Sequence, residues 1–147
     1  MTHALDLTDL TPRAAADLVS TEADVAWARR FVDELDRRVR SEPLERILEL
    51  WGLSNAAAAR MFGVSRQAFG KWLSTGPPAT RAAAVADLAA ATDLLDRYVK
   101  RERIAAVVRR QAPALGGRSL LDLAESGDTA EVLTRTREMF DLRRVQP

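Results

Sequence analysis

Apolar residues recur at spacings of three and four along most of the chain, which is the period of a helix with one covered face. Ala28, Phe31, Val32, Leu35 and Val39 form one such stripe and predict a helix from Ser20 or Thr21 to Arg40. Its stripe is wide enough to pack on the core or on a second copy of the chain. Ser41, Glu42 and Pro43 read as a break and restart, with Ser41 as cap and Pro43 in the first turn of the next helix. Leu44, Ile47, Leu48 and Trp51 are that helix's buried stripe, and Gly52 ends it. Thr11 and Pro12 open a short helix near the start. Ser74 to Pro78 reads as a loop, because Gly76-Pro77-Pro78 cannot continue a helix. Thr80 caps a long helix from Arg81 with Val85, Leu88, Leu95 and Tyr98 on its apolar side. Further helices are expected over Ile104 to Arg110, from Ser119 or Leu120 through Glu125, and over Thr129 to Phe140, the last with Val132, Leu133, Thr136 and Phe140 on one side. No stretch alternates β-branched and polar residues over five or more positions, so the expected class is all-α.

The most informative window runs from Asn55 to Leu73. Two helices that cross steeply need a small residue at the crossing, and Ala59 supplies it. The turn needs a residue tolerant of positive φ, and Gly63 supplies it. Val64 is an apolar plug, Ser65 is a preferred N-cap, and Ala68, Phe69 and Trp72 hold the second helix on the first. Ser65, Arg66 and Gln67 are then left outward at the start of that helix, followed by Gly70 and Lys71. This is the face that a recognition helix presents to the major groove. Arg66 suits a guanine edge and Gln67 an adenine edge. Lys71, about one turn on, and Asn55, at the start of the first helix, suit phosphates. The bland alternative is a helical hairpin that only packs.

Composition narrows the chemistry. There is no cysteine in the 147 residues and His3 is the sole histidine, so metal, thiol and imidazole chemistry are disfavoured and no cofactor is expected. Asp33-Glu34 and the Asp93, Asp96 pair read as solvated faces, and no nucleophile–base–orienter set is visible, so no enzyme and no small-molecule substrate are expected. Gly116-Gly117 lacks the lysine and Ser/Thr ending of a phosphate loop and reads as a tight turn. Trp27, Trp51 and Trp72 each sit on an apolar stripe and read as core rather than as a stacking platform. No apolar run approaches a membrane span and the start does not resemble a signal peptide, which predicts a cytoplasmic protein, nucleoid-associated when on DNA.

The net charge of +1 is unevenly spread. Residues 1–40 carry −2 and 119–147 carry −2, whereas 81–118 carry +4. Arg97, Lys100, Arg101, Arg103, Arg109 and Arg110 are the densest basic group, with Arg101 and Arg103 as candidate contacts to phosphate or to an acidic partner. A solvated face is an equally good reading of that group.

Leu53 to Leu73, with its Val64-Ser65-Arg66-Gln67-Ala68 and Trp72-Leu73 runs, resembles the helix-turn-helix of the Xre/Cro group of bacterial and phage regulators. Pro113-Ala114-Leu115-Gly116-Gly117-Arg118-Ser119-Leu120-Leu121-Asp122-Leu123, followed by Gly127-Asp128 and Val132-Leu133, is similar to the C-terminal domain of Xre/MbcA/ParS antitoxins. The likeness covers about residues 44–142. It departs at Leu120, where the family often has proline, and in the tail after Phe140. It implies a helix-turn-helix domain (41–78) and a helical antitoxin-like domain (79–147), and leaves residues 1–40 as an N-terminal helical extension without a counterpart in that family. It further implies an autoregulating repressor, a homodimer on a double-stranded operator, that masks a RES-type toxin through Leu115, Gly116, Gly117, Arg143 and Arg144. The alternatives are a stand-alone phage, plasmid or chromosomal regulator whose last helices dimerise or add DNA contacts, and a protein-interaction scaffold.

Overall fold

The computed structural model describes residues 11–22 and 25–144, with side chains over 11–17 and 25–141. Among these, every regular element is helical and no strand forms, as the hydrophobic period predicts. The helices are α1 (Pro12–Glu22), α2 (Val25–Trp51), α3 (Asn55–Phe62), α4 (Arg66–Thr75), α5 (Ala82–Tyr98), α6 (Arg101–Arg109), α7 (Leu120–Glu125) and α8 (Thr129–Arg144). None is long and apolar enough to cross a membrane. His3 lies outside the described residues.

The chain divides into two compact units, Met1–Asp36 and Arg37–Pro147. In the first, Thr11 starts α1 as expected, its Oγ1 accepting the Ala14 N–H at 3.2 Å. Trp27 and Phe31 stack nearly parallel, with centroids 5.2 Å apart. Trp27 is 42% exposed rather than buried, which corrects its reading as core. Val25, Phe31, Val32 and Leu35 are exposed as well.

In the second unit α5 and α8 form the most extensive helix pair, and α3, α4, α6 and α7 complete the packing. Leu44, Ile47 and Trp51 of α2 are fully buried. The Trp51 indole N–H would be costly to leave unpaired there. It donates to Thr92 Oγ1 at 3.0 Å, and that hydroxyl donates in turn to the Leu88 carbonyl at 2.7 Å.

Several expected boundaries move. Helix α2 does not break at Ser41 to Pro43: Pro43 stands inside it. Proline there removes the N–H that would reach residue 39. Ser41 does not cap a new helix but makes a long 3.4 Å bond from its hydroxyl to the Arg38 carbonyl. It is also the first buried residue of α2. Helix α4 runs on through Ser74 and Thr75, whose hydroxyls bond back to the Gly70 and Lys71 carbonyls, so the loop begins at Gly76. Thr80 does not cap α5, because a 3-10 turn over Ala79–Arg81 leads straight into it without a side-chain cap. Helix α6 starts three residues earlier than expected, and α8 continues to Arg144.

Candidate nucleic-acid interface

The segment between α2 and α5 is built from local signals that each act on a neighbouring backbone group. Ser54 caps α3, its side chain accepting the Ala57 N–H at 3.1 Å. At the other end Gly63 adopts φ 67°, ψ 33°. Its N–H goes to the Arg60 carbonyl and that of Val64 to the Ala59 carbonyl, which satisfies groups that a helix end leaves orphaned. Gly63, Val64 and Ser65 are the whole connection. Ser65 then caps α4 by accepting the Ala68 N–H at 3.1 Å.

Packing holds the pair from behind. Ala59 is buried, so the two backbones can approach. Phe69 is fully buried and Trp72 nearly so. Phe62, Phe69 and Trp72 form a three-ring cluster with centroids 5.5 to 6.0 Å apart. Val64 packs against the same core. Arg81, which the sequence reading passed over, donates to the Phe62 carbonyl at 3.1 Å and lies 5.9 Å over the Trp72 ring. It ties the end of α3 to the aromatic cluster from 19 residues away. No local pattern announces such a bond.

Ser65, the cap of α4, and Arg66, Gln67 and Lys71 on it are all exposed; Gln67 and Lys71 lie on the side of the helix opposite Phe69 and Trp72, and Arg66 lies on its flank. Ser65 Oγ is occupied in part by its cap, which leaves its hydroxyl proton for an external acceptor. Asn55 is exposed in the first turn of α3. The exposed groups thus offer two cations, Arg66 and Lys71, the side-chain amide of Gln67 between them, and the start of α3 at Asn55.

The basic group of the following region divides by surroundings. Arg101 donates to Asp96 at 2.9 Å, and Asp96 also holds Arg46 at 2.8 Å, with Asp93 on the other nitrogen of Arg46 at 2.6 Å. The Arg101 hydrogen bond, ahead of the opposing effect of burial, keeps the Asp96 carboxyl below the usual range. Asp93 and Asp96 are therefore ion-pair partners, not a bare solvated face. Arg109 donates to the carbonyls of Trp51 and Gly52 at 2.6 and 3.1 Å, closing the end of α2. Arg97 lies over the Tyr98 ring. Arg103, with Lys100 and Arg110, instead lines a groove of about 670 Å³ beside Tyr98, Met139 and Leu115. Arg101 and Arg103 thus have different surroundings.

Leu115 is half-buried at the end of a 3-10 turn, and Gly116 and Gly117 follow with φ 67° and 77°. The Gly117 N–H bonds to the Ala112 carbonyl, and the Ala112 N–H to the Arg118 carbonyl, so the glycine pair is a tight turn as its sequence implies. Ser119 and Asp122 then form a reciprocal capping box for α7. Arg143 and Arg144 continue α8, and their side chains lie outside the described residues.

The comparisons with known proteins are negative: no family model, no curated protein and no solved structure matches the chain.

Proposed function

We propose that the chain is a non-enzymatic, sequence-specific DNA-binding repressor whose α3–α4 pair is a helix-turn-helix with α4 in the major groove. The observation that supports this most is the two-sidedness of α4. Phe69 and Trp72 are buried on one side, Gln67 and Lys71 are exposed opposite them, and Arg66 is exposed on the flank between. In this reading Arg66 and Gln67 touch base edges, while Lys71 and Asn55 touch phosphates. Two copies read a two-fold-related site.

Selection of bound duplexes from random DNA supplies the operator. On it, Arg66→Ala and Gln67→Ala should each cost about 1–3 kcal/mol and relax preference at one base pair. Lys71→Ala should weaken all sequences alike and reduce the salt slope by about one. Unchanged operator choice in the Arg66→Ala/Gln67→Ala double variant sinks the proposal.

The role as an antitoxin that masks a RES-type toxin is supported by the resemblance over Pro113 to Leu133 alone. Stoichiometric co-purification of a toxin with the chain tests it, and its absence leaves the stand-alone regulator. Within this reading, Arg103 and Leu115 share one groove and are the better candidates for contact with a partner, whereas Arg101 is engaged by Asp96.

A further inference from the structure

Large apolar side chains in water are concentrated on one stretch of this chain. Val25, Trp27, Phe31, Val32, Leu35 and Val39 are exposed, and elsewhere among the described residues only Tyr98 and Met139 join them. Val25 is 72% exposed and Val32 54%. Fully burying a side chain of this kind stabilises by about 1.5–3 kcal/mol, so a contiguous row of them marks an interaction surface.

The spacing narrows the kind of surface. Val25, Ala28, Val32 and Leu35 alternate steps of three and four, which is the seam of a coiled coil, and Val39 is next in the same series. Arg29 and Asp36 each follow the second apolar residue of a repeat, so both flank the seam on the same side, seven residues apart. Both are exposed. In an antiparallel pair of identical helices this flank faces itself. The register that sets Val32 against the partner's Leu35 brings Arg29 opposite the partner's Asp36. Two-fold symmetry makes that attraction occur twice. A parallel pair would instead place Phe31 against the partner's Asp36, a ring beside an unpaired carboxylate. The charges therefore favour a second copy, and one direction.

We propose that the face of Ala28, Val32, Leu35 and Val39 is the dimerisation surface of this chain, closed by an antiparallel second copy with Val32 against the partner's Leu35, Ala28 against the partner's Val39, and Arg29 against the partner's Asp36 on each side of the axis. This rests on the two-copy part of the function proposed above and on nothing concerning DNA.

The test is sedimentation equilibrium of the full chain without DNA, with a separate mobility-shift assay. The chain should sediment at twice its 16.2 kDa, and Leu35→Asp should return it to one copy. Arg29→Asp and Asp36→Arg should each weaken dimerisation about tenfold by setting like charges opposite, and the double exchange should restore it. The circular dichroism of every variant at its monomeric concentration should keep the parent's helical signal. A monomeric parent, a dimer indifferent to Leu35→Asp, or a double exchange as weak as the singles overturns the proposal. A dimer that ignores DNA sustains this surface while refuting the repressor, and a monomer that shifts DNA does the reverse.

Discussion

Two aromatic groups in this chain come from the same kind of sequence and end in opposite surroundings. Phe62, Phe69 and Trp72 lie on amphipathic helices and are buried together, whereas Trp27 and Phe31, four residues apart on another amphipathic helix, are stacked but exposed. The difference is the turn. Between α3 and α4, Gly63 in the left-handed region and the Ser65 cap reverse the chain, so one stripe meets the other. Across Val25–Trp51 no reversal occurs, because Pro43 stays within the helix. Hydrophobic period states which face wants cover, and only a turn within the chain, or another molecule, supplies it.

The largest effect should separate the two groups. Removing the buried ring with Phe69→Ala should cost about 3–5 kcal/mol of unfolding free energy. Phe31→Ala, measured by urea unfolding at concentrations where the chain is a monomer, should change it by no more than about 0.5 kcal/mol. Equal losses would mean that Phe31 is covered within a single chain, and the contrast between the two regions would fail.

Much of the covered region is legible in the sequence because its instructions are local. Ser65 acts on a backbone group three residues away, Gly63 on its own φ, and Ser119 on Asp122. The outward direction of Gln67 and Lys71 is legible in the same way, since 100° per residue sets both opposite the stripe of Phe69 and Trp72, whereas Arg66, three residues before Phe69, stands at the flank of that stripe. What the sequence does not disclose is long-range. Arg81 reaches Phe62, Trp51 reaches Thr92, and Arg109 reaches Trp51, across 19, 41 and 58 residues. Each satisfies a polar group that only the assembled core creates. The same blindness misread Trp27, because periodicity cannot tell a covered stripe from an uncovered one. Pro43 was misread for a related reason. A local rule penalises proline in a helix, yet burial of Leu44, Ile47 and Trp51 beyond it is worth more than one lost backbone bond.

A smaller effect should mark the place where covering begins. Gly76 adopts φ 87°, and a Cβ built there would stand 2.5 Å from Arg40 Cβ, next to Ser41, the first buried residue of α2. That neighbour is fixed to the backbone and cannot swing aside. Gly76→Ala should therefore cost about 2–3 kcal/mol, combining positive-φ strain with overpacking. Gly63→Ala meets the milder strain of the left-handed helical region, φ 67° and ψ 33°, with no atom within 4 Å, and should cost about 1 kcal/mol. Urea midpoints of the two variants check the order. If Gly63→Ala proves the more damaging, the turn between α3 and α4 limits stability, and not the approach of α2 to the end of α4.

The smallest effect asks whether a local cap stabilises the covered region apart from its packing. The Ser119 backbone N–H bonds to Asp122 at 2.8 Å, and this bond, before the Ser119 hydroxyl, lowers the Asp122 carboxyl from its usual range. A carboxylate whose folded pKa lies below its unfolded one stabilises the fold above the unfolded value, near 4. That contribution is lost as pH falls from there through the lowered folded value. Ser119→Ala should cost about 1 kcal/mol at pH 7. Asp122→Asn should flatten part of the loss between pH 5 and pH 3, leaving the part that Asp96 carries through Arg101. Added salt discriminates the two, since the exposed Arg101 pairing is screened while a bond between adjacent backbone and side chain of one cap is much less so. Should Asp122→Asn follow the parent's acid limb in urea titrations, the capping box is a geometric consequence of α7 being packed, and packing alone distinguishes the covered region from the exposed start of α2.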